Sequence, residues 1–115
     1  MKNLIILIGL TMLLSCNTES KHEYCKKIIE NSLSIPIPNQ FKLINYNSDF
    51  SIGDYSEQFE LKFSKKIFMQ ILNSVNTEKY DNNIYFCNIK DDENERITII
   101  FNVSKNTIKY TYYSE

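Results

Sequence analysis

The chain has 115 residues, 13 basic against 14 acidic for a formal net charge of −1, with seven Phe, eight Tyr and only two glycines. That length bounds a single domain with a modest core, and the aromatic content excludes a disordered stalk. No basic stripe is available for nucleic acid, and isolated glycines cannot build a phosphate-cradling loop.

Taken in chain order, the first stretch is MKNLIILIGLTMLLSC. Lys2 supplies a short positive start. Residues 4–14 form an apolar run broken only by Gly9 and Thr11. That is the length of a signal-peptide core and too short to span a bilayer as a helix. The run ends in Leu13-Leu14-Ser15-Cys16, which resembles the lipobox of bacterial lipoproteins, with small Ser15 before the cysteine. The resemblance covers residues 1–16. It implies cleavage before Cys16 and lipid on the Cys16 thiol, with further acylation of the new amine common in that family. Two or three acyl chains hold a bilayer stably, each buried methylene contributing about 0.8 kcal/mol. Asn17, where the family's inner-membrane members commonly carry Asp, implies the outer membrane if the source has two membranes. Removing the first 15 of 115 residues leaves 100, and with Lys2 gone 12 basic residues face 14 acidic ones, a net charge near −2.

Residues 16–19 are the lipidated cysteine and its tether, and 20–115 the domain. Three tether residues and the step to Ser20 span about 14 Å at most, so the domain is expected to hug the membrane. Ser20 and Glu23 match a capping box for a first helix. Tyr24, Cys25, Ile28, Ile29 and Leu33 fall on its apolar half and Glu23, Lys26, Lys27 and Glu30 on the other. Pro36 and Pro38 end it and impose an extended stretch.

Residues 41–46 read as a strand. Residues 47–56 read as a turn-rich loop, the longest in the chain, holding Phe50, Ile52 and Tyr55. Residues 58–63 alternate, with Phe59, Leu61 and Phe63 on one face. Ser64 is placed to cap a second helix over 65–75 with an Ile67, Phe68, Ile71, Leu72, Val75 stripe. After a polar link over 76–83 come strand-like runs at 84–90, 96–103 and 107–113. Asp91 to Asn94 forms a turn, and Asn106 suits a position of positive φ between the last two runs. These short connections predict an antiparallel meander. The expected fold is α+β: one antiparallel sheet of about five strands with two helices packed on it, in the order α-β-β-α-β-β-β.

The remaining cysteines, Cys25 and Cys87, lie in a compartment that permits disulfides, and one intramolecular pairing is open to them. A Cys25–Cys87 bond is therefore expected, with two buried free thiols as the alternative. That bond fails if Cys87 faces away from the first helix, because Ile84 and Phe86 are as apolar as Tyr85, Cys87 and Ile89. No metal site is expected from two sulfurs and one histidine. His22 and Cys25 are helix neighbours and could form a nucleophile pair. Glu57 and Glu60 are the carboxylates to weigh for acid–base work. Asp91, Asp92, Glu93 and Glu95 lack calcium-loop spacing and read as a solvated hairpin turn. No catalytic or cofactor-binding residues are assigned.

The expectation is thus a membrane-anchored, non-catalytic binding or accessory domain of the cell envelope, with no cofactor and a protein partner. That partner would be met through Phe50, Ile52 and Tyr55 or through the open sheet face. An immunity lipoprotein that neutralises a toxin is one form of such a domain. The alternatives are a thiol- or carboxylate-dependent hydrolase and a structural lipoprotein of an envelope assembly.

Overall fold

The structure, a computed structural model, describes residues 21–115. Cys16, Asn17 and the Ser20 cap lie outside the described residues. The first helix, α1, covers residues 21–33 of that span. Its apolar stripe seats Cys25 and Ile29 in the core with no exposed surface. Half-buried Ile28 and Leu33 flank them. Ser34 ends the helix in the left-handed region, φ 58°, with its amide on the Glu30 carbonyl at 2.8 Å. The Ile-Pro-Ile-Pro segment is then tied back, because the Ile37 amide donates to Glu30 Oε2 at 2.9 Å and the Ile37 side chain is buried.

Strand β1, Lys42–Ser51, pairs antiparallel with β2, Asp54–Lys62. The stretch expected to be a loop is therefore mostly strand. The reason is a bulge between Ile44 and Asn47, where Asn45 takes φ 54°. One extra residue shifts the alternation, so Leu43 and then Ser48 and Phe50 share a face. Without that shift the polar residues after Tyr46 break the period-two pattern. The actual turn is only Ile52-Gly53, with Gly53 at φ 85°, a conformation that glycine adopts without side-chain strain.

Ser64 caps α2, Lys65–Ser74, its Oγ accepting from the Ile67 amide at 3.4 Å. Phe68, Ile71 and Leu72 are buried on its inner side. A two-residue strand, β3 (Glu78–Lys79), follows and pairs with β4, Ile84–Asp91. This sixth strand corrects the expected count of about five. It lay in the polar link because two charged residues carry no apolar alternation. Next come β5, Glu95–Asn102, and β6, Thr107–Ser114. Asn106 takes φ 56° in the turn between them.

The sheet order is β1-β2-β6-β5-β4-β3, antiparallel throughout. The C-terminal strand thus sits in the middle of the sheet. Its pairing partners define rows across the face that meets the helices. Leu61, Ile108, Phe101 and Tyr85 form one row, and Phe59, Tyr110, Ile99 and Cys87 the next. Together with Cys25 and Ile29 of α1 and Phe68, Ile71 and Leu72 of α2, the buried members form one core. The fold is α+β, a single antiparallel sheet covered by two helices on one face. Ile84 and Phe86 alternate to the other face. There, with Tyr80, Thr98 and Ile100, they line a shallow hollow of about 320 Å³.

Candidate functional site

The third row across the helix face begins with Glu57, followed by Tyr112 and Ile97. Alternation along β2 points Tyr55, Glu57, Phe59 and Leu61 the same way, so Glu57 is carried inward in phase with the core. It is 4% exposed. Burying a carboxylate is costly unless its oxygens are hydrogen-bonded. Here the donors are phenols. Tyr46 Oη donates to Oε2 at 2.6 Å, Tyr24 Oη reaches both oxygens at 3.1 Å, and Tyr55 Oη approaches Oε2 at 3.4 Å. The Tyr46 contact has the length of a charge-assisted bond.

Each phenol comes from a different place. Tyr24 projects from α1, Tyr46 stands beside the bulge of β1, and Tyr55 precedes Glu57 by two on β2. The bulge is what lets Tyr46 turn inward, where its ring lies 6.3 Å from that of Phe59. The ion pairs among the described residues are Lys90 with Asp92 and Glu95, and Arg96 with Asp91, so none of them involves Glu57. Lys21 of α1 places its Nζ over the Tyr46 ring, 4.3 Å from the centroid.

The hydroxyls respond to this environment. Burial, then the charge of Glu57, raises the Tyr24 phenol from 10.0 to about 12. Burial and the Glu57 hydrogen bond push Tyr46 higher still, and burial with the Glu57 charge does the same to Tyr110. Tyr55 and Tyr112 rise for the same leading reason, burial. These phenols are therefore held as donors throughout the neutral range. Beside them a cleft of about 250 Å³ opens between α1 and the sheet, lined by Tyr24, Ile28, Tyr55, Glu57, Tyr110 and Tyr112. Tyr112 donates from this cleft to Glu95 Oε2 at 2.9 Å, and Glu95 is held by Lys90 at 3.1 Å.

A carboxylate ringed by phenols holds charge, and the rings supply walls. The expected residues fall elsewhere or take other roles. Glu60 points to the opposite face and meets Asn45 Nδ2, so the Glu57/Glu60 pair is not assembled. His22 stacks on Phe41 with centroids 3.9 Å apart, and its Nε2 lies 3.3 Å from the Phe41 carbonyl oxygen. Cys25 instead points into the core, and burial raises its thiol to about 12. The His22–Cys25 pair therefore diverges.

The expected Cys25–Cys87 bond is not formed, and both thiols are free. Cys87 does face the helices, but it lies toward the far end of α1. It lines a hollow of about 560 Å³ with residues 32–35 and 74–76. Its Sγ donates to the Asn76 carbonyl at 3.1 Å, and burial raises its pKa. Asp92 uses its Oδ1 on the amides of Asn94 and Glu95, closing the acidic turn on itself.

Phe50 and Ile52 stand at the β1–β2 tip, 79% and 103% exposed. Tyr55, grouped with them by sequence, joins the Glu57 cluster. In the sequence Glu57 stands out only as half of a carboxylate pair with Glu60. The signal for its burial was parity, because it is two residues before Phe59. Comparison with family models, curated proteins and solved structures finds no match to the chain.

Proposed function

We propose that the protein is a lipid-anchored, non-catalytic binding domain of the cell envelope that meets a protein partner through the β1–β2 hairpin. The observation that carries the partner reading is the hairpin tip, where Phe50 at the end of β1 and Ile52 in the two-residue turn present apolar side chains to solvent. Apolar and aromatic groups exposed together suit the desolvated centre of an interface. A partner of matching chemistry presents an apolar pocket. The anchor reading rests on residues 1–16, with lipid on Cys16. Asn17 favours the outer membrane where the source has two. The separation of His22 from Cys25, and of Glu57 from Glu60, supports binding over hydrolysis. An immunity lipoprotein is one form this domain could take.

Cys16→Ser is expected to abolish lipid labelling and release the protein from membranes. Persistent labelling would refute the anchor. A photo-crosslinking residue at position 52, in cells carrying the native envelope, is expected to give a discrete protein adduct that Phe50→Ser weakens. The same probe at Lys109, on the open sheet face, is expected to give none. Equal adducts at both positions would overturn the hairpin assignment. Adducts to lipid alone at position 52 would reassign the tip to the bilayer.

A further inference from the structure

We propose that the cleft over Glu57 binds the charged head of a small organic cation, an alkylammonium group. The inference is independent of the hairpin reading and uses other residues.

Three observations converge on this. The first is an unbalanced charge. Glu57 is 96% removed from solvent, since 4% of its surface is exposed, and every donor it meets among the described residues is a neutral phenol. Neutral donors satisfy its lone pairs without neutralising its charge. The cations nearby are engaged otherwise, Lys21 over the Tyr46 ring and Lys90 with Glu95 and Asp92.

The second is an asymmetry between the two oxygens. Oε2 accepts from Tyr24, Tyr46 and Tyr55, whereas Oε1 accepts only the contact it shares from Tyr24. A carboxylate offers about four lone-pair sites. Oε1 therefore keeps acceptor capacity, and Glu57 lines the cleft.

The third is the lining. Four of the six residues around the cleft are tyrosines (Tyr24, Tyr55, Tyr110, Tyr112), with Ile28 completing the wall. The rings of Tyr55 and Tyr112 are 5.9 Å apart and tilted by 60°. Electron-rich ring faces around an acceptor are the surroundings in which quaternary ammonium groups are held. An anion would meet Glu57, and Glu95 beyond Tyr112, and be repelled. At about 250 Å³ the cleft lies below the roughly 300–1,000 Å³ of drug-sized sites. That size suits an ammonium carrying a few methyl groups and excludes a nucleotide. Such a group occurs on free solutes and on zwitterionic lipid headgroups, and the chemistry recognised is the same.

The test uses the full-length protein in an uncharged detergent at matched ionic strength. Tetramethylammonium and choline are titrated calorimetrically, with tyrosine fluorescence as the second readout, since the chain has eight Tyr and no Trp. Saturable binding is expected at about 1 mM or tighter. The uncharged isostere of choline, 3,3-dimethylbutan-1-ol, is expected to bind at least about tenfold more weakly, because it lacks the charge that Glu57 and the rings attract. Glu57→Gln is expected to remove choline binding by a similar factor. If that variant does not fold, the isostere comparison on the native protein decides the matter alone. Absence of saturation by either cation, or equal binding of the neutral isostere, would overturn the proposal. Displacement of tetramethylammonium by a short-chain phosphocholine lipid would support the headgroup as a source. Binding of the free cation without such displacement would support a soluble solute.

Discussion

Two ends of one sheet face are built from opposite chemistry. At one end the row Leu61, Ile108, Phe101 is fully buried, and Phe68 of α2 packs on it with its ring 6.1 Å from that of Phe101. At the other, the row starting at Glu57 and Tyr112 is closed by α1 through the hydroxyl of Tyr24. The first end is held by dry packing, which is non-directional and tolerant of exchange among apolar residues of similar volume. The second is held by hydrogen bonds to a charge, which tolerate almost no exchange of type, because each lost donor leaves a buried carboxylate less well solvated. The contrast teaches that the helix face is dry core at one end and a hydrogen-bonded carboxylate cluster at the other.

The sharpest break between the two ends comes from Phe101→Ala. It should cost about 3–5 kcal/mol in denaturant unfolding, since it empties a fully buried aromatic position. A loss below 1 kcal/mol would show that α2 does not close that end.

Next is Tyr46→Phe, which keeps the ring and removes the 2.6 Å donor to Glu57. About 2 kcal/mol should be lost, the value of a hydrogen bond to a charged group. If Tyr46→Phe proved neutral while Phe101→Ala did not, the hydrogen bond to Glu57 would contribute no stability to the polar end.

Smaller again is Ser64→Ala, which removes the cap of α2 and should cost about 1 kcal/mol by the same unfolding measurement. Its effect should leave the Glu57 end untouched, so tyrosine absorbance in the alkaline titration should be unchanged from wild type.

Through neutral pH the polar end should show the least effect. The folded pKa of Tyr24 lies above its ordinary value, at about 12 against 10.0. The neutral phenol is therefore favoured by folding. Its contribution to stability is present in full below pH 10 and is lost as pH rises toward 12. Cys25, raised from 9.0 to about 12, adds loss in the same direction from pH 9 upward. Thermal melts should fall across that window. A melting temperature that stayed level to pH 12 would mean that the Tyr24 hydroxyl is not held against Glu57 and that Cys25 is not buried beneath it.

Much of this contrast was open to inspection in the chain before folding. The apolar stripe of α2 and its Ser64 cap followed from period and residue type, and so did the inward sets Phe59, Leu61, Phe63 and Ile108, Tyr110, Tyr112. What escaped was non-local. Asn45 gives no local warning of a bulge, yet that one residue in the left-handed region changes which side chains of β1 face inward. Without it Tyr46 cannot be placed beside Glu57. The missing Cys25–Cys87 bond has the same origin. Both residues do point toward the core, but α1 separates their neighbourhoods, with Glu57 and Lys21 near Cys25 and Glu78 and Asn76 near Cys87.

By itself the sequence determined both helices and the cores of five strands, though not the full length of β1 or the existence of β3, because helix and strand periods, caps and prolines act over a few residues. It also carried the motif at residues 1–16 on which the proposed anchor on Cys16 rests. Only the tertiary structure decided that the last strand pairs between β2 and β5, and that five tyrosines from α1, β1, β2 and β6 gather around one carboxylate. Such a gathering depends on register and on one bulge, and both are settled by contacts between residues far apart in the chain.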